Sequence, residues 1–139
     1  MLQAMHHVLV ETKGNGLTEI TSEVNRWLAK QKVETGLLTL YCRHTSASLL
    51  VQENADPDVR EDLLTFFERI APEGKGLYVH DTEGLDDMPA HIRAALTQVQ
   101  LSIPVEAHHL VLGTWQGIYV FEHRAAPHRR DIVLHLIGE

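Results

Sequence analysis

Apolar residues alternate with polar ones near both ends of the chain and fall at helical spacing between. The run from His6 to Thr12 is rich in β-formers and stops at Lys13-Gly14-Asn15-Gly16, a turn signal. Ile20, Val24, Trp27 and Leu28 then recur every three or four positions, which predicts a helix over 17–31. Gly36 breaks the pattern, and Leu37–Cys42 and Ser48–Gln52 read as strands joined through His44-Thr45-Ser46. Asp56-Pro57 is a helix start. Asp56 can accept from a free amide of the first turn, and Pro57 sits where a missing N–H costs nothing. Val59, Leu63, Phe66, Phe67 and Ile70 mark the expected buried face of that helix, which ends before Pro72-Glu73-Gly74. A long loop over 73–87 leads to a short helix from Asp87-Met88-Pro89 to about Leu96; loops this long in a compact domain usually carry function.

The last third is β. Leu101–Glu106, Leu110–Leu112, Thr114–Glu122 and Asp131–Ile137 are candidate strands. This order is not the regular alternation of a doubly wound sheet. It predicts an α+β fold: one mostly antiparallel β-sandwich, two main outer helices and one short helix. In the strand 116–122, Gln116, Ile118, Val120 and Glu122 face one way and Gly117, Tyr119 and Phe121 the other. Apolar groups on both faces predict a second buried surface, such as a subunit interface.

Composition narrows the class. The 139 residues make one domain, 1–139, able to bury about 70% of its unfolded surface without staples. Cys42 is the single cysteine, so no intramolecular disulfide or cysteine-rich zinc site forms, which fits a reducing, cytoplasmic setting. Lys+Arg is 12 against Asp+Glu 19, a net charge of −7 that argues against a nucleic-acid partner. The N-terminus lacks the basic segment of a signal peptide, and no apolar run approaches the ~20 residues of a membrane helix, so a membrane partner is not expected. The unusual number is ten histidines.

Four stretches carry chemistry. His44-Thr45-Ser46-Ala47-Ser48 offers an imidazole and three hydroxyls at a bend, where a phosphate or carbonyl can be held; a plain hydroxyl-rich turn is the simpler alternative. Gln52-Glu53-Asn54-Ala55-Asp56 precedes a helix; Asp56 reads as its cap, while Asn54 has no evident capping duty. His80, Asp81, Glu83, Asp86, Asp87 and His91 crowd twelve positions, a ligand set suited to zinc, manganese or iron, though a solvated acidic loop has the same composition. Gly113-Thr114-Trp115-Gln116-Gly117 enters the strand that ends at Glu122, whose carboxyl, if buried in a cleft, becomes a candidate general acid or base. Arg124, His128, Arg129 and Arg130 form a basic patch able to bind a phosphate or merely to balance charge.

The runs HTSASLLVQENADPDVREDL (44–63), HDTEGLDDMPAHI (80–92) and GTWQGIYVFEHR (113–124), with the closing LIGE, resemble the YjbQ-like family, described as secondary thiamine-phosphate synthase enzymes. The resemblance runs from about Met5 to Glu139. One departure is Ala55, where some members carry cysteine. The resemblance implies an α+β fold with a β-sandwich, a homotrimer, and functional positions at His44, Asn54, His80, Asp87, His91, Trp115, Gln116 and Glu122. It also implies weak thiamine-phosphate synthesis: a pyrimidine diphosphate alkylates the nitrogen of a thiazole phosphate and releases pyrophosphate.

The resulting expectation is a small phosphorylated substrate, a divalent metal (Zn, Mn or Mg) and no organic cofactor. His44, His80 and His91 are the candidate metal ligands. His44, Asn54, Asp87 and Glu122 are the candidate catalytic groups. Ser46, Trp115, Gln116, Arg124 and Arg130 are the candidate substrate contacts, with Trp115 stacking on a ring and the arginines facing phosphate. Two alternatives use the same residues: metal-assisted hydrolysis or deamination with Glu122 or Asp87 as base, or a trimeric metabolite binder without turnover. Of the other histidines, His6, His7, His108, His109 and His128 are expected in solvent, His123 behind the site, and His135 buried or at an interface.

Overall fold

The computed structural model describes residues 1–139. Two antiparallel sheets face each other across the core. The larger holds β1 (Leu2–Glu11), β8 (Arg129–Gly138), β3 (Gly36–Cys42), β5 (Gln100–Glu106) and β6 (His109–Leu110), in that order. The smaller holds β2 (Gly16–Glu19), β7 (Gln116–Glu122) and β4 (Ala47–Glu53). The alternation of each strand decides which side chains meet. Val8 and Val10, Leu38 and Leu40, Leu101, Ile103 and Val105, and Ile132, Leu134 and Leu136 face Leu49, Ile118 and Val120 of the smaller sheet. The expected sandwich is therefore present.

The helix expected over 17–31 starts later and is shorter. Leu17–Glu19 pair with Phe121–Tyr119 as β2, and α1 spans only Thr21–Leu28. A short run beside an open strand edge gains more from ladder bonds than from another helical turn. The apolar stripe does persist: Val24 and Leu28 are buried, so α1 plugs the sandwich core rather than lying outside it.

α2 (Pro57–Ile70) begins as expected, with the Asp56 carboxylate accepting from the Asp58 amide at 2.9 Å. Its packing differs from the expectation. No residue of α2 is fully buried, and Phe66 (53% exposed) and Ile70 (44%) face outward. Phe67 is the anchor, set edge-on to Phe121 with ring centroids 5.3 Å apart. α3 (Asp87–Leu96) packs on the same side through Ala90 and Ala94. Tyr119, Phe121 and Ser48, on the face of the smaller sheet away from the sandwich, are thus buried within the chain. The two-sided apolar pattern of β7 is explained by these helices and needs no second subunit.

The outer face of the larger sheet is covered by nothing in the chain. Met5 and Leu9 of β1 and Leu37 and Tyr41 of β3 are exposed on it. Backbones approach closely at Gly36 and Gly138, which are paired. A Cβ on Gly36 would lie 2.3 Å from the Ile137 carbonyl oxygen, so no larger residue fits.

Candidate functional site

The antiparallel register of β4 and β7 sets Ala47 opposite Glu122 and Glu53 opposite Gln116. The turn 43–46 and the end of β7 therefore share one end of the smaller sheet. Asn54, Trp115 and Gln116 lie at the other end, roughly 20 Å away along the strand.

At the first end, four ligand-type side chains converge. The donor atoms of His80, Glu83, Asp87 and His91 all lie within 4.8 Å of one another. Asp87 opens α3 and is 3% exposed. Its Oδ2 is 2.7 Å from His80 Nε2 and 3.2 Å from His91 Nε2, while Glu83 reaches His80 Nε2 at 3.0 Å. Asp87 and His91 are four apart on one helix, which puts them on the same face. His91 Nδ1 donates to the Thr45 carbonyl at 3.1 Å. In the neutral ring this leaves the Nε2 lone pair aimed at the Asp87 carboxylate, two electron-rich atoms that need a proton or a cation between them. A ring N–H held by a carbonyl, with the other nitrogen turned to a carboxylate cluster, is the arrangement of a metal-ligating histidine. Two nitrogens and two carboxylates fit a zinc-like or manganese-like ion.

The electrostatics follow from the contacts. Burial would raise the Asp87 pKa, but bonds to His80 and Glu83 and the charges of His91 and Arg124 hold it below the ordinary carboxylate value. The same Asp87 bond, aided by Glu83, raises the pKa of His80. Arg124 fixes the loop from behind. Its Nε donates to Asp86 Oδ2 (2.9 Å), Nη1 to Asp87 Oδ1 (2.8 Å) and Nη2 to the Glu83 carbonyl (3.0 Å).

Several expected site residues have other duties. Arg124 is spent on Asp86 and Asp87 and is a brace, not a phosphate ligand. Arg130 is buried and donates to both carboxylate oxygens of Glu122 and to the carbonyl and hydroxyl of Ser46. It too has no free fork for substrate, and Ser46 is part of this internal network. Glu122 is buried, yet it is no general base of raised pKa. Desolvation is outweighed by Arg130, by the Thr12 hydroxyl (2.7 Å) and by the Arg124 amide (3.1 Å), so its pKa is lowered. His44 does not join His80 and His91. Its Nε2 accepts from the Asp131 amide at 2.8 Å, and burial first, then Arg130, lowers its pKa.

At the far end, Asn54 donates to Glu19 (3.2 Å), Gln116 Oε1 accepts from the Gly113 amide (2.8 Å), and Trp115 stands exposed. Neither stretch touches the four-residue cluster. Among the other histidines, His123 is buried against Ser48 (2.8 Å) rather than behind the cluster, and His108 is held by the carbonyls of Val33 and Ala29 rather than left in solvent. His135 contacts Gln3 on the open face of the larger sheet.

A cavity of about 390 Å³ opens beside His80, lined by Lys75, Tyr78, Leu85 and Met88 with Gly74, Gly76, Asp81 and Gly84. Sequence reasoning located the loop but passed over Lys75 and Tyr78. The available signal was Gly74-Lys75-Gly76, a cation between two glycines at the start of that loop.

Residues 6–139 match the family model described as UPF0047 protein YjbQ-like. The chain is similar to a UPF0047 protein of Synechocystis, 49% identical over 132 residues covering 95% of this chain and 90% of that one. It is also similar to UPF0047 protein YjbQ of Escherichia coli O157:H7, 44% identical with 94% of each chain covered. Among solved structures, a yjbq/upf0047 family protein of Clostridium acetobutylicum superposes with a TM-score of 0.87 at 34% identity, covering 95% of this chain and 99% of that one. A hypothetical protein from Aeropyrum pernix reaches 0.89 at 28% identity, covering 98% and 99%.

Proposed function

The chain belongs to the UPF0047 YjbQ-like family, and from the site it carries we propose a divalent-cation-dependent enzyme that acts on a small phosphorylated molecule. The observation that carries this reading is the convergence of His80, Glu83, Asp87 and His91 within 4.8 Å, with His91 Nε2 turned toward a carboxylate by the Thr45 carbonyl. These four residues would hold the ion, Thr45 would orient His91, and Arg124 would orient Asp87. A cation there supplies positive charge for developing negative charge on a phosphate or carbonyl oxygen.

The first reaction to assay is thiamine-phosphate synthesis, with release of pyrophosphate from a pyrimidine diphosphate. Its support is the sequence resemblance, together with a cavity bordered by the candidate cation site. A second reading, hydrolysis or deamination, is favoured by Glu83. Its carboxylate reaches the cluster yet stays largely solvent-exposed; in this reading His80, Asp87 and His91 alone would hold the ion and Glu83 would be left as general base, unlike the ion-paired Glu122. Both are tested with purified protein supplied with Zn, Mn or Mg, beside His91→Ala shown to be folded by circular dichroism. Turnover that survives both chelation and His91→Ala sinks the enzyme reading at this centre. Ligand binding without turnover would leave a metabolite-binding protein.

The homotrimer remains part of the proposal, now supported by the open apolar face of the larger sheet rather than by β7. No helix is long and apolar enough to cross a membrane. A cytoplasmic setting is proposed from the single buried cysteine.

A further inference from the structure

Arg124 and Arg130 are both committed to carboxylates, so the cation that a phosphorylated substrate would meet must come from elsewhere. Around the cavity beside His80, Lys75 is the only lysine or arginine on the wall. The apolar side chains of the lining are Tyr78, Leu85 and Met88. The tyrosine is fixed in place, because its hydroxyl donates to the Pro72 carbonyl at 2.7 Å. The loop's shape is set by glycine. Gly76 has φ +81, where a side chain would be strained although nothing lies within 4 Å of its Cβ position. Gly84, also in the lining, has φ +104.

Resting on the cation-site reading above, we propose that this cavity is the substrate subsite. It takes a small molecule with an unsaturated ring and a phosphate-type oxyanion, the oxyanion lying between the Lys75 ammonium and the His80 side of the cluster and the ring against Tyr78, Leu85 and Met88. The volume is that of a small-ligand site. An ammonium beside a metal centre is a point-charge phosphate binder, in a chain whose net charge of −7 otherwise repels anions.

The test uses the full chain, wild type and the variants Lys75→Gln and Lys75→Arg, with zinc alone, phenyl phosphate and phenol as probes in calorimetric titrations. Lys75 is exposed, so both variants fold. Phenyl phosphate should bind the wild type, weaken about tenfold or more in Lys75→Gln, and be largely restored by Lys75→Arg. Phenol should bind weakly and equally to all three. Zinc affinity should be the same in all three, since Lys75 is no ligand. Equal phenyl phosphate affinity in wild type and Lys75→Gln overturns the subsite, as does a wild type that binds zinc but no phenyl phosphate. Loss of phenyl phosphate in Lys75→Gln from a protein that takes up no zinc supports the subsite and removes the metal reading alone.

Discussion

His123 makes the fold sensitive to mild acid by an amount that follows from its surroundings. The ring is 1% exposed, lies 4.3 Å centroid-to-centroid from Phe121, and pairs through Nε2 with Ser48 at 2.8 Å, while Nδ1 has no partner. Protonation would place a charge in this apolar pocket beside Arg93, on a ring whose Nδ1–H has no acceptor. Burial first, and Arg93 second, push its pKa down to about 3 from 6.5. The sign follows from linkage. Between those two values the unfolded chain binds a proton that the folded chain refuses, so stability is intact above pH 6.5 and falls as pH drops toward 3. At 1.36 kcal/mol per pH unit the loss attributable to His123 is about 2 kcal/mol at pH 5. Urea denaturation of wild type and His123→Gln at pH 7.5 and pH 5.0 isolates it. Glutamine can bond Ser48 and cannot titrate. The wild type should lose about 2 kcal/mol more than the variant over this interval. Opposing groups such as His80 are common to both proteins and cancel in the difference. Equal losses would refute the burial argument.

Glu122→Gln should cost about 3 kcal/mol in denaturant unfolding, because it leaves the buried Arg130 guanidinium without its countercharge; a fully stable but inactive variant would instead restore Glu122 as the base. Phe66→Ala should change stability by less than about 0.5 kcal/mol and Phe67→Ala by about 2 kcal/mol, since only Phe67 packs on Phe121; equal costs would show that the outer face of α2 is covered in solution. Light scattering should give about 47 kDa, three times the 15.7 kDa chain, and Leu9→Glu on the open sheet face should release monomer; a wild-type mass near 16 kDa rules the trimer out.

What could be read from the sequence was whatever local spacing controls. The Asp56-Pro57 start of α2 and the short helix at Asp87 depend on neighbours within a turn, and both stand in the fold. The roles of Glu122, Arg124 and Arg130 depend on partners brought from other elements. Thr12 comes from the end of β1, Arg130 from β8 and Asp86 from the loop before α3, and nothing near Glu122 in sequence announces them. His44 was grouped with His80 and His91 on residue type, but the turn that carries it gives the cluster its Thr45 carbonyl and turns the His44 ring to Asp131. Leu17–Glu19 became strand because β7 offered an open edge, a tertiary effect that helical spacing does not register. Trp115 and Gln116 sit near Glu122 in sequence, yet an extended strand separates them by its full length.

The most direct test of the proposed centre is zinc stoichiometry and affinity, measured by calorimetry and by elemental analysis of protein reloaded after chelation, for wild type and His80→Ala/His91→Ala. One zinc per chain in the wild type, absent from the folded double variant, is the predicted result. A wild type that takes up no divalent ion, or a double variant that binds it unchanged, contradicts a metal centre built from His80, Glu83, Asp87 and His91.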